Sequence, residues 1–106
     1  MLKVLKGRKG SLNRNLKGPQ VYVAYHRRQK KYYVGVTSKS FNERYQRRDY
    51  DHHFSNAFYC EPTWFDVKVY KFKTIAGAYR MEEKLVTWKE AKSKKYYNKI
   101  PGGKNG

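Results

Sequence analysis

The stretch Gln20 to Arg48, QVYVAYHRRQKKYYVGVTSKSFNERYQRR, constrains the fold more than any other part of the chain. It opens with a period of two: Val21, Val23 and Tyr25 share one face, and Tyr22, Ala24 and His26 share the other. Successive side chains of a strand point to opposite faces, so this alternation predicts a β-strand. Arg27 to Lys30 supply four polar residues before a second aromatic and β-branched run, Lys31 to Val36. Two such runs joined by a loop of that length predict an antiparallel hairpin. Gly35, inside the second run, suits a bulge or the close approach of another group.

The remaining elements follow from caps and periodicity. Ser40 and Glu43 form a capping-box pattern, in which the serine accepts an early helical N–H and the glutamate reaches back to the serine N–H. The helix is expected to run to about Arg48, with Arg44 and Arg48 on one face and Phe41 and Tyr45 on a neighbouring stripe. Residues 49–63 are weakly patterned; a short helix is expected around His53 to Tyr59, stopped by Pro62. Trp64 to Phe72, WFDVKVYKF, alternates again and predicts a third strand. Thr74 is placed to cap a final helix reaching Lys92, whose Ala78, Met81, Leu85 and Trp88 form a buried stripe with Glu82 beside it. The expected fold class is α+β, a three-stranded antiparallel sheet in the order β-β-α-α-β-α with flanking helices. Val21, Val23, Phe65, Val67 and Val69 are expected to pack against Met81, Leu85 and Trp88.

Charge points to the partner. The chain holds 25 Lys plus Arg against 8 Asp plus Glu, a formal net charge of +17. Such an excess repels itself unless a polyanion shares the site, and nucleic acid is the commonest. Residues 1–19 carry Lys3, Lys6, Arg8, Lys9, Arg14 and Lys17 and no acidic residue, and are expected to form a basic, mobile arm that contacts phosphates ahead of a domain at 20–106. Arg27, Arg28, Lys30 and Lys31 at the hairpin turn extend the same basic surface. No segment approaches the ~20 apolar residues of a membrane-spanning helix. Cys60 is the only cysteine, which excludes an intrachain disulfide and a cysteine zinc site, and it is expected as a small buried hydrophobe. With no signal-peptide pattern in MLKVLKGRKG, the expected location is the cytoplasm.

Chemistry on a phosphodiester needs a nucleophilic water, stabilisation of the pentacoordinate transition state, a neutralised leaving oxygen and a held substrate. Arginine and a divalent metal commonly supply the charge. Glu82 and Glu83 are the only acidic pair within the apolar-striped helix, so either is a candidate metal ligand. His52 and His53 are candidates for proton donation or phosphate contact, whereas His26 at the hairpin turn is expected at the surface.

In their order and spacing these residues resemble the GIY-YIG nucleases. Val21-Tyr22 stands where the family's first motif has Ile-Tyr, and Tyr33-Val34-Gly35 where the second has Tyr-Ile-Gly. Arg44 follows Tyr33 by eleven residues, in the helix where the family keeps its arginine. Glu82 precedes Leu85-Val86 at the family's offsets, which favours it over Glu83, and Tyr97-Asn98 with Gly102-Gly103 resembles the closing motif. The likeness covers about residues 20 to 103. Two positions depart from the pattern: Gln20 replaces the first motif's glycine, and Arg48 stands where many members have histidine.

The resemblance implies an endonuclease that nicks or cuts double-stranded DNA, of a small phage or mobile-element type. One Mg²⁺, or Mn²⁺ in its place, would be held by Glu82 and act as Lewis acid. Arg44 would stabilise the scissile phosphate, Tyr22 would position or deprotonate the attacking water, and Tyr33 would hydrogen-bond water or phosphate nearby. Asn98 would brace the site or hold a phosphate, and a homodimer would allow both strands to be cut. The competing expectation is an inactive DNA- or RNA-binding module on the same fold. Such a binder has no use for Glu82, whose charge repels phosphate in the absence of metal.

Overall fold

A computed structural model describes residue 5, residues 7–99 and residues 101–103. Its elements are β1 (Gln20–His26), β2 (Lys31–Thr37), α1 (Phe41–Arg44), α2 (His53–Cys60), a 3-10 turn at Pro62–Trp64, β3 (Phe65–Lys71), α3 (Ile75–Leu85) and α4 (Trp88–Lys92). The three strands form an antiparallel sheet in the order β2-β1-β3, so the fold is α+β as the patterning predicts.

The register sorts the side chains. Val21 pairs with Val36 and Tyr70, Val23 with Val34 and Lys68, and Tyr25 with Tyr32 and Asp66, so these nine share one face. Tyr22 pairs with Gly35 and Val69, Ala24 with Tyr33 and Val67, and His26 with Lys31 and Phe65 on the other. Both faces are covered. Phe65, Val67 and Val69 do not pack on the last helix; they join Tyr22, Ala24, Phe41, Tyr45 and Phe54 in an aromatic core under α1 and α2. Val21 and Val34 pack with Ala78 and Leu85 of α3 on the opposite face, while Val23 lies at the margin of that cluster. The single layer expected from sequence is therefore two.

Three element boundaries differ from expectation. The first helix ends at Arg44, where Tyr45 leaves helical geometry at φ −115° and ψ 31°, and the Gln46 carbonyl beyond it accepts from the Tyr59 hydroxyl. Glu43 also does not reach the Ser40 N–H; its carboxylate accepts from the Ser40 hydroxyl at 3.2 Å while the Glu43 N–H donates to Ser40 Oγ at 3.1 Å. The last helix breaks after Leu85 and restarts as α4 behind a capping box formed by Thr87 and Glu90. The break turns Trp88 outward, where it is 59% exposed rather than part of the buried stripe.

Each outer strand is paired beyond the sheet. Ser11 and Val69 exchange N–H···O bonds of 2.8 Å, and the Phe72 N–H donates to the Pro19 carbonyl, so the segment 11–19 lies along β3. On β2, the Tyr32 N–H donates to the Lys95 carbonyl and the Tyr97 N–H to the Tyr32 carbonyl, a short parallel bridge. Such coverage removes the open edges at which sheets aggregate. The described part of the basic segment is thus fastened to the domain, whereas Lys3 and Lys6 lie outside the described residues. Among those residues no helix is long and apolar enough to cross a membrane.

Candidate active site

A cleft of about 290 Å³ opens beside β2, lined by Tyr33 of the strand, Asp51, His52, His53 and Phe54 at the start of α2, Glu82 of α3, and Tyr97, Asn98, Lys99, Pro101 and Gly102 of the closing segment. Tyr33, His52, His53, Glu82 and Asn98, dispersed over the sequence, therefore meet in one place. Tyr22, Arg44, Arg48 and Glu83 do not line it.

Tyr22 lies behind the cleft, 1% exposed, with its hydroxyl hydrogen-bonded to that of Tyr45. The contact explains Gly35: a Cβ there would sit 2.7 Å from Tyr22 Cε1 and closer still to the hydroxyl, so only glycine leaves room for the ring. Burial pushes the Tyr22 phenol well above its ordinary value, as do the neighbouring Tyr45 and Tyr33, and Arg44 offsets this only in part. At 1% exposure and outside the cleft lining, the Tyr22 hydroxyl does not touch a cleft water directly, either to position it or to take its proton. Tyr45, one residue past Arg44, is the residue that sequence reasoning missed; its stripe with Phe41 was visible, but not its hydroxyl contact.

Tyr33 faces the cleft. Its hydroxyl lies 3.2 Å from His52 Nε2, and His52 Nδ1 accepts the Ser55 N–H at 3.1 Å as the N-cap of α2. An accepting Nδ1 places the neutral imidazole's proton on Nε2, which then donates to the Tyr33 oxygen. Burial lowers the His52 pKa, and the Arg44 charge lowers it further, in keeping with a neutral ring. Burial and the Glu82 charge push Tyr33 up to about 12.

Glu82 is half-buried. Its Oε1 accepts the Gly103 N–H at 3.0 Å, while Oε2 has no hydrogen-bond partner among the described residues. Burial raises its pKa, opposed by the Gly103 bond. Gly102 donates its N–H to the Val86 carbonyl at 2.7 Å, and a Cβ at Gly102 would sit 2.6 Å from Glu82 Cγ. The Gly-Gly pair thus lets backbone close over the glutamate. Glu83 is exposed and outside the cleft, so the geometry prefers Glu82. Among the described residues, no three His, Cys, Asp or Glu side chains cluster tightly enough to hold a metal ion on their own. One half-buried carboxylate fits Mg²⁺, which keeps several waters and takes one or two carboxylates plus substrate phosphate.

Asn98 is a brace. Its Oδ1 accepts the Val34 N–H at 3.0 Å and its Nδ2 donates to the Val34 carbonyl at 2.8 Å, continuing the edge pairing of β2. Arg44 is exposed, with its guanidinium 4.9 Å from the Tyr45 ring centre. Its charge is felt at Tyr22, Tyr33, Tyr45 and His52. Arg48, past the end of α1, bonds Asn56 Oδ1 through Nε at 2.7 Å and covers the Tyr50 ring; it does not share a helical face with Arg44.

Several basic candidates are already occupied. Arg14 donates to the Phe65 carbonyl at 3.0 Å, Arg27 pairs with Asp66 at 2.8 Å, and Arg28 pairs with Glu61. Lys31 stands 5.2 Å over the Tyr97 ring. Lys9, Lys17 and Lys30 face solvent, as does Arg8, which covers the Phe72 ring. His26 is fully buried, not superficial: Nδ1 accepts the Gln29 N–H and Nε2 lies 3.2 Å from Glu61 Oε1. Cys60 is exposed, its Sγ 3.2 Å from Arg48 Nη2, rather than a core residue. Gln20 is buried with its Nε2 directed to the carbonyls of Leu16, Gly18 and Lys39, joining the segment before β1 to the loop after β2 where a glycine could not. No family model matches the chain, and comparison with curated proteins and with solved structures finds no significant match to either.

Proposed function

We propose that the chain is a metal-dependent endonuclease of the GIY-YIG type, hydrolysing DNA phosphodiester bonds with one divalent cation at Glu82. The observation that carries this reading is the convergence of Tyr33, His52, Glu82 and the Asn98 brace at one cleft, from parts of the chain as much as 65 residues apart.

Glu82 would hold Mg²⁺ or Mn²⁺, which when bound supplies Lewis-acid stabilisation of the scissile phosphate. The Gly103 N–H holds Oε1 of that carboxylate, and among the described residues Oε2 has no hydrogen-bond partner. Arg44, outside the cleft lining, acts through its charge, which reaches Tyr33 and His52 and would favour the negative charge that develops on the phosphate. Tyr33, protonated at neutral pH, orients the attacking water through its hydroxyl, itself held by the His52 N–H. Tyr22 acts indirectly, by supporting Tyr45 and the ring layer beneath the cleft. Both His52 nitrogens are engaged, so exposed His53 at the cleft wall is the better candidate to protonate the leaving oxygen.

A second reading, a DNA- or RNA-binding module without turnover, is favoured by the tyrosines, since burial holds both motif phenols protonated. Nicking of supercoiled plasmid in Mg²⁺, Mn²⁺ or chelator separates the two. The nuclease reading expects metal-dependent cleavage by the native chain and by Glu83→Gln, and little by Glu82→Gln or Arg44→Ala. Equal cleavage by all four proteins would remove the mechanism, and salt-sensitive binding with no cleavage by any would establish the binder.

A further inference from the structure

Helix α3 covers only part of its sheet face. Val21, Val34, Ala78 and Leu85 are buried, but the row Tyr32-Tyr25-Asp66 with Val23, Lys68, Tyr70 and the buried Leu5 of the N-terminal segment borders a groove of about 270 Å³, on the opposite face from Tyr22 and Tyr33. The row continues beyond the sheet edge, because the bridge between Tyr32 and Tyr96 adds a third ring. The Tyr25 and Tyr32 centroids are 4.6 Å apart and those of Tyr32 and Tyr96 are 5.6 Å apart, giving a shelf of three tyrosines. All three are partly exposed.

Charge selects the occupant. Lys68 lines the groove, and exposed Lys94 and Lys95 flank the shelf at Tyr96. The one carboxylate in the lining, Asp66, is paired with Arg27 at 2.8 Å. Partly exposed rings bordered by lysines, with Asp66 paired to Arg27 and the buried Glu90 near Tyr96 held by the Thr87 N–H, match the two needs of an unpaired nucleic-acid strand: flat surfaces for bases and cations for phosphates. A duplex keeps its bases stacked inside and has no use for the rings.

We propose that the Tyr25-Tyr32-Tyr96 shelf binds single-stranded DNA by base stacking, as a second contact surface behind the cleavage cleft. The choice of DNA rests on the proposed function, whereas the stacking surface does not. The shelf would favour substrates with an unpaired strand beside a duplex, such as flaps or frayed ends.

Fluorescence anisotropy tests this in chelator, where cleavage plays no part, using the full chain with a labelled single-stranded 12-mer and a blunt duplex of the same sequence. Tyr25→Leu and Tyr32→Leu should each weaken single-strand binding on the order of 10-fold and leave duplex binding unchanged. Tyr25→Phe and Tyr32→Phe, which retain the ring and test that the fold is intact, should restore it. Loss of single-strand and duplex affinity together, or no loss for either leucine variant, would overturn the proposal. So would tighter binding of an RNA 12-mer of the same sequence, or a concentration-dependent dimer in sedimentation that both leucine variants abolish without altering oligonucleotide binding. Failure of plasmid cleavage would leave the proposed shelf intact, and failure of stacking would leave the cleft intact.

Discussion

Gly35 and Tyr22 face each other across the β1–β2 ladder, and the tyrosine ring occupies the space a side chain at 35 would need. The Gly35→Ala variant must displace that ring from a core with no slack, and overpacking of this kind costs about 1–3 kcal/mol. Urea denaturation should show that loss, with a change in near-ultraviolet circular dichroism as the Tyr22–Tyr45 contact opens; an unaltered midpoint would mean that the ring is not held there. At this scale the sequence was only partly legible. Gly35 announced that something comes close, but not that it was Tyr22, because the register of two strands is not written in either one. Tyr45 and the buried Gln20 and His26 were missed for the same reason: their roles depend on partners 19 to 35 positions away. Asn98, by contrast, was singled out beforehand, and its two bonds to Val34 select bracing over phosphate contact.

Among the elements, the strands were the easiest to read, since alternation depends on local polarity alone. The break between α3 and α4 was also written in the sequence: Thr87 and Glu90 repeat the spacing of Ser40 and Glu43, a start signal hidden inside an apparently continuous helical stripe. Helix α2 has a different start. Its N-cap is His52, whose Nδ1 can accept the Ser55 N–H only while unprotonated, and burial holds the His52 pKa below its ordinary value. The unfolded chain therefore binds this proton more readily than the native state, so stability is lost as pH falls through and below the ordinary histidine range. The His52→Ser variant keeps a capping oxygen that does not titrate. Its thermal midpoint should lie near that of the native chain at pH 7.5 and above it at pH 5. Parallel decline of both proteins between those pH values would show that the cap does not titrate. Under the proposed nuclease function, cleavage should fall at both, because the serine cannot reach the Tyr33 oxygen as the imidazole does.

For the whole molecule, a net charge of +17 predicted a polyanion partner, but the fold divides its cations into two populations. Arg14 belongs to the interior: its guanidinium bonds the Phe65 carbonyl and lies 5.8 Å and 5.7 Å from the Phe41 and Phe58 ring centres, closing the aromatic core. Burial lowers its pKa, and only Asp66 opposes that shift. Lys9 and Lys17 belong to the surface. The Lys17 side chain is 78% exposed, with its ammonium 3.7 Å from Glu43 Oε1, and exposed pairs of this kind add little stability. The Arg14→Gln variant should therefore lose roughly 1–3 kcal/mol of stability through its charged hydrogen bond, yet keep the native salt dependence of DNA binding. Lys9→Gln combined with Lys17→Gln should do the reverse. Stability stays level, while the slope of log affinity against log salt falls by about 0.9 for each phosphate contact removed. Anisotropy titrations of duplex DNA over a range of salt, paired with urea denaturation, distinguish the populations. If the lysine pair leaves the slope unchanged, this stretch of the former arm serves only to cover β3, and the phosphate contacts lie elsewhere on the basic surface.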